Sequence, residues 1–373
     1  MDVLIIGGGI IGSSVAFELA KRGVAVTVVE RGELAQEASS AAAGMLGAHS
    51  EFSTDHPLIP LALASQSLFP SIIAELAELT NITIGWNDVG MLKIATTNEE
   101  YKKLTEHYEF WRRIQPQHVR WLTAEEVAQM EPHVQTDHGA MYTIDQQVDA
   151  RQLSLAFAHA AIAKGARFLP YTEAYDFIFD NERIVGVKTT RGTIYAKQIV
   201  IACGAWTPVF AEKLQLSLHL YPVKGECVAV TTEKRLLRAT VFAKNGCYIV
   251  PKANNRLVIG ASALAHSFHK TVQACSVHEL LARGMHIVPE LASATFEGAW
   301  AGIRPQTKDG MPYIGEHPQY ANVFVVTGHY RNGILLSAIT GRCVSDMLER
   351  KEVPFDMTPF SLTRKGGKHA LHH

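Results

Sequence analysis

The sequence carries almost no excess of charge: 35 Lys and Arg stand against 36 Asp and Glu, a formal net charge of -1 over 373 residues. That balance offers no footprint for nucleic acid or an anionic membrane surface and suits a small neutral or zwitterionic substrate. Cysteine is scarce too. The five residues Cys203, Cys227, Cys247, Cys275 and Cys343 show no CxxC spacing, which argues against a zinc site and against a secreted disulfide framework. A reducing, cytoplasmic setting without a metal is the expectation. Charge is also missing from Val3 to Phe17, but that run lacks a basic flank and is broken by four glycines. It reads as a buried strand and a helix, not as an export or membrane segment. Internal repeats and low-complexity linkers are absent as well. His369, His372 and His373 fall in a Gly/Lys-containing tail and are set aside from the chemistry.

What is present is an ordinary globular composition, 47% apolar and 19% charged, in a chain longer than one core usually supports. Asp2 to Ile6 is a short apolar run ending in glycines, Ile10 to Lys21 has helical periodicity, and Ala25 to Glu30 is β-branched and apolar again: βαβ with short connections. Helical patterns follow at about 58–79 and 98–115, with a strand-like Gly90–Ala95 between them, and another runs from Gln152 to Lys164. Strand-like stretches then dominate: Arg167–Pro170, Ala174–Phe179, Ile184–Thr190, Thr193–Ala202, Pro222–Val230, Cys247–Pro251, Leu257–Ala261 and Ala294–Gly302. The last segment is the strand Val323–Thr327, the turn Gly328–Gly333 and a long helix to about Leu348.

The chemistry begins at Gly7-Gly8-Gly9-Ile10-Ile11-Gly12, a GxGxxG pattern between a strand and a helix. Gly7 makes the tight turn, Gly9 lets backbone approach a pyrophosphate, and Gly12 allows close helix–strand packing, while the helix N-terminus faces the phosphate charge. Glu30 ends the second strand, where its carboxylate accepts hydrogen bonds from ribose hydroxyls and repels a 2′-phosphate. FAD and NAD both satisfy this pattern. The small-residue run from Ser39 through Ala43 and Gly44 to Met45 and Leu46 suits close packing against a flat cofactor.

Taken together, GGGIIGSSVAFELA (7–20), SSAAAGMLGAH (39–49), PVKGEC (222–227), CYIVP (247–251), WAGIRPQTKDGMPYIG (300–315) and GHYRNGILL (328–336) resemble the glycine oxidase branch of the D-amino-acid oxidase family. The resemblance spans nearly the whole chain. It implies an α/β fold in which a Rossmann-like FAD-binding domain (1–85, 145–218 and 303–365) is interleaved with a smaller α+β substrate domain (86–144 and 219–302) containing a mostly antiparallel sheet, with 366–373 a tail. It also implies oxidation of glycine, sarcosine or D-alanine to an imine that hydrolyses to the 2-oxo acid, with O2 reduced to hydrogen peroxide. A homotetramer and supply of glycine imine for the thiamine thiazole belong to the same implication. Sarcosine oxidases of this family attach flavin to a cysteine near the stretch equivalent to Arg304–Gly310. No cysteine stands there, so the FAD is expected to be noncovalent.

By the same resemblance Arg304 grips the substrate carboxylate with its planar fork, Tyr248 adds a phenolic hydrogen bond, Arg331 lies near flavin and substrate, and Met45 lines the substrate cavity. The cofactor set extends to Arg31, Ala38 and Ala174, and to His329, Tyr330, Asn332, Gly333, Ile334 and Leu335 at the start of the last helix, whose N-terminal amides face the flavin's pyrimidine edge. With the carboxylate anchored, hydride passes from the α-carbon to flavin N5 and no side-chain base is required. Where relatives carry a histidine two positions before the tyrosine, this chain has Gly246, leaving that side of the pocket roomier. Two other readings use the same residues: a secondary-amine oxidase or dehydrogenase, and a nonenzymatic protein that FAD merely stabilises.

Overall fold

The computed structural model describes residues 1–243 and 246–364. The three tail histidines and the segment 366–373 lie outside them.

Val3–Ile6, VLII, is apolar on both faces and completely buried, the pattern of a central parallel strand. It sits in a six-stranded sheet ordered Tyr313–Glu316, Val323–Thr327, Gln198–Ile201, Val3–Ile6, Val26–Val29, Arg167–Leu169. All neighbours run parallel except the first pair. The helix Ile10–Lys21 packs on this sheet between the helices Ala150–Ala163 and Gly333–Leu348. Ser14 Oγ donates to the Ser337 carbonyl at 2.7 Å where the first and last of these helices cross. The helix Ile59–Thr80 is apolar and long enough to cross a membrane. Here Leu61, Ala62, Phe69, Ile72 and Leu76 are buried in the core, and Ser65 Oγ donates to the Leu335 carbonyl of the last helix.

A nine-stranded sheet forms the second layer, drawing on 91–143 and 220–307. Its pairs are antiparallel except Thr240–Ala243 with Met91–Ile94. The expected α/β architecture with a mostly antiparallel second sheet is therefore the observed one. Among the described residues a small three-stranded sheet, 174–195, and the two-stranded pairing of Met45–Leu46 with Gln146–Gln147 complete the fold.

Two strand assignments need correction. The stretch Thr193–Ala202 is two strands: Gly192–Tyr195 closes the small sheet and Gln198–Ile201 lies beside Val3–Ile6. The chain changes layer at Ala196-Lys197, where Lys197 reaches solvent and pairs with Asp2 at 2.8 Å. The strand expected to stop at Gly302 continues as Thr295–Thr307. Pro305 does not end it because it stands opposite Pro222, so both missing N–H donors share one rung.

Candidate active site

Two adjoining cavities open between the layers. The larger, about 1380 Å³ of space counting the part open to solvent, runs from the glycine turn to the small sheet. The smaller, about 820 Å³ counted the same way, lies against the nine-stranded sheet. Ala38, Ala42, Tyr330, Arg331 and Ile334 line both.

The glycine turn is built by contact limits. Gly7 has φ +111, and a Cβ there would stand 2.5 Å from the Ala202 carbonyl oxygen; at Gly12 it would stand 2.0 Å from the oxygen of Gly7. Gly7, Gly9, Ile10 and Ile11 face the large cavity, whereas Gly12 packs behind them. Ser39 Oγ accepts from the Ile10 amide at 3.0 Å, holding the small-residue loop to the helix N-terminus. The Glu30 carboxylate accepts from the Gly8 and Gly32 amides at 2.8 and 3.0 Å while lining the cavity. Farther along, Arg31 stacks on Trp206 at 4.0 Å and pairs with Glu37 at 2.8 Å. Ala174 lines this end too.

Tyr248, Arg304, Arg331 and Met45 meet in the smaller cavity, with Gly44 and Ala43 beside them. Arg304 is not beyond its strand but within it, and alternation decides what it faces. Gly302 and Arg304 point to the smaller cavity, Ile303 and Pro305 to the larger. Arg304 Nη1 donates to the Ser262 carbonyl at 3.2 Å. Glycine makes room for both polar groups: a Cβ on Gly225 would lie 2.2–2.4 Å from the Arg304 guanidinium, and one on Gly260 2.4–2.5 Å from the Tyr248 ring and hydroxyl. Burial first, then the neighbouring Cys227, push the Tyr248 phenol well up, so it stays protonated and available as a donor; its hydroxyl is 3.4 Å from Cys227 Sγ. Gly246, at φ +86, is not among the residues lining this cavity.

Tyr330 and Arg331 lie in the turn before the helix Gly333–Leu348, with Tyr330 held at φ +47. Gly333 and His329 line the larger cavity and Asn332 the smaller. Burial pulls His329 down to about 3, so positive potential here comes from the helix end and Arg331 rather than an imidazolium. Leu335 is a correction: it lines neither cavity but sits in the core, its carbonyl taken by Ser65. Helical rotation turns it away from the face that Ile334 presents.

Several contributors escaped the sequence reading. Glu51 pairs with Arg331 at 3.4 Å, and Phe242 lies under the same guanidinium at 5.8 Å. Behind Glu51 is a buried network: Asp145 receives the His49 ring at 2.8 Å, the Ser50 amide at 2.7 Å and Gln66 at 2.8 Å. Burial alone would raise Asp145, but the His49 charge and these donors bring it down to about 2. Burial opposes His49 protonation, and Asp145 outweighs it, raising the imidazole. Glu51 stands two residues past the recognised motif. Trp206 could have been found from its place, five residues past the C-terminal end of the parallel strand Gln198–Ile201, the side on which such sheets place ligands.

The elongated cleft, the glycine turn that admits no Cβ and the carboxylate at the ribose position fit an FAD dinucleotide. The FAD dependent oxidoreductase family model, DAO, matches residues 2–347. The glycine oxidase of Geobacillus kaustophilus (strain HTA426) is 52% identical over 370 residues, covering 98% of each chain. The crystal structure of glycine oxidase from that organism has a TM-score of 0.95 over 98% of this chain and 99% of its own, at 52% identity. The structure of glycine oxidase from Bacillus cereus ATCC 14579 gives 0.90 at 41% identity, over 94% of this chain and 98% of its own. The bifunctional protein ThiO/ThiG of Synechocystis sp. (strain PCC 6803) is 33% identical over 363 residues, 94% of this chain and 52% of that longer protein. Fold, cleft and these likenesses agree: the chain belongs to the DAO family of FAD-dependent oxidoreductases, in the branch that holds the glycine oxidases.

Proposed function

We propose that this chain oxidises glycine and other small amines, sarcosine and D-alanine among them, to the imine, which water converts to the 2-oxo acid with release of ammonia or amine. The observation that carries the reading is the Arg304 and Tyr248 pair in a cavity that shares its wall with the dinucleotide cleft. FAD, when bound, would supply the hydride acceptor and the route by which the electrons reach O2 as hydrogen peroxide.

The protein's own work is positional. Arg304 presents two parallel N–H donors to the carboxylate, and Tyr248, kept protonated by burial, adds a third. Met45 and Phe242 close the apolar side. Among the described residues Glu51 is the one carboxylate lining this cavity, and Arg331 engages it. The glycine turn, Glu30, Ser39, Arg31 and Ala174 hold the dinucleotide, with the turn 329–333 at the junction. A relative that carries ThiO and ThiG in one chain supports use of the imine in building the thiamine thiazole. Balanced charge and five cysteines without CxxC spacing support a cytoplasmic enzyme, and we read it as a homotetramer.

Anaerobic addition of glycine to the holoprotein tests the reading. Loss of the flavin's visible absorbance, with recovery and peroxide on admitting air, is the expected result. A spectrum unmoved by glycine, sarcosine and D-alanine would overturn it.

A further inference from the structure

Lys252 follows directly on the strand Tyr248–Pro251, which carries Tyr248. Its Nζ donates three hydrogen bonds of 2.7 Å: to the carbonyls of Ala43 and Val148 and to Gln147 Oε1. These use all three N–H donors of an ammonium. The acceptors are informative. Ala43 opens the loop that brings Gly44 and Met45 to the substrate cavity. Gln147 and Val148 form that loop's support: Met45 pairs with Gln147, the Val148 amide donates to the Gly44 carbonyl at 2.9 Å, and Gln147 Nε2 donates to the Pro251 carbonyl at 2.7 Å. At Gly44, φ +87, a Cβ would lie 2.0 Å from the Val148 oxygen, so the loop already sits as close to its support as backbone permits.

We propose that Lys252 is a positioning residue: its ammonium ties the loop bearing Met45 to the strand bearing Tyr248, fixing the distance across the substrate cavity. The inference rests on the amine-oxidase reading only for its catalytic consequence. The tie itself is a property of the fold.

The tie depends on charge, because a neutral amine has two N–H donors and would turn a lone pair toward one of three acceptors. Burial acts first on this group, pulling it from 10.5 down to about 7; Asp149, at the start of the helix Ala150–Ala163, opposes that shift, and Arg256, opening the strand Arg256–Gly260, adds to it. The tie is complete below about pH 7 and loses a donor above it. Global stability moves the other way. Between the folded and free values the unfolded chain binds the proton more tightly, so this group alone makes the fold more stable as pH rises through that window. Loosening of the loop there is therefore distinct from unfolding.

The test compares holoenzyme of the wild type, Lys252→Met and Lys252→Arg. Hydrogen exchange of the 42–47 amides, corrected for intrinsic base catalysis, should rise about tenfold in Lys252→Met with other segments unchanged, and Lys252→Arg should restore protection. Turnover of glycine should fall about tenfold in the Met variant with a smaller change in KM, since Arg304 is untouched. The wild type alone should show loop protection declining as pH passes about 7, a step missing from Lys252→Met. Wild-type protection and pH profile in the Met variant would overturn the proposal. Should that variant fail to fold, the wild-type titration decides, absence of a step counting against the tie. A wild type inert toward every amine would refute the amine-oxidase reading, yet the exchange measurement would still judge Lys252.

Discussion

Gly225 shows how much of this site depends on what is missing from a side chain. Its hydrogen leaves the space that the Arg304 guanidinium fills, and a methyl would come within 2.2–2.4 Å of three guanidinium atoms. Gly225→Ala should keep its FAD while binding of acetate or glycine weakens about tenfold to a hundredfold, the worth of a displaced charge-assisted bond pair; KM and acetate titration read this directly. The His49 and Asp145 pair makes the second residue-scale prediction. Asp145 is depressed from 3.8, so its contribution is present above 3.8 and is lost as pH falls through about 2. His49 is raised from 6.5, so its contribution is present below 6.5 and is lost as pH climbs through its folded value. Asp145→Asn should therefore cost most between these limits, about 3–5 kcal/mol for stripping one partner from a buried pair, measured by urea unfolding across pH. Arg304 and Tyr248 were singled out by the family resemblance of the short motifs around them, and both line one cavity. Glu51, His49 and Asp145 were not, because their partners lie at distant positions in the chain and no spacing rule joins them.

At the scale of elements, the strand, glycine turn and first helix were read to within a residue. Their constraint is internal: Gly7, Gly12 and the helix start must fit one another whatever surrounds them. Gly12→Ala, placing a methyl 2.0 Å from the Gly7 oxygen, should open the turn and leave protein that emerges from gel filtration with less than about a tenth of its FAD, as absorbance ratios would show. The stretch Thr193–Ala202 failed for the opposite reason. Its two strands share β-branched composition, and only partner strands in different sheets separate them. The strands Val119–Leu122 and Ala140–Thr143 were missed where the equally short Val3–Ile6 was read, because VRWL interrupts its apolar residues with Arg120 and AMYT opens on Ala140, a residue depleted in strands.

On the whole molecule, the two layers exchange the chain repeatedly, so the cofactor cleft is closed by segments far apart in sequence. Acid precipitation should leave a colourless pellet and yellow supernatant, because no cysteine occupies Arg304–Gly310; colour in the pellet would mean a covalent flavin. FAD added at about a hundredfold over its Kd should raise unfolding free energy by about 2.7 kcal/mol over the stripped protein, seen as a concentration-dependent Tm. The interleaved architecture was implied by the family resemblance, whereas the point at which one layer becomes the other was not legible, since Thr295–Thr307 passes through it unbroken. That strand has a consequence for how such enzymes diversify. Because Gly302 and Arg304 face one cavity while Ile303 and Pro305 face the other, a single-residue deletion just upstream would exchange the two sets of neighbours at once. New amine preferences are therefore open to point substitution along this strand and closed to insertions and deletions, and a directed-evolution library that keeps its length constant will retain far more active members than one that does not.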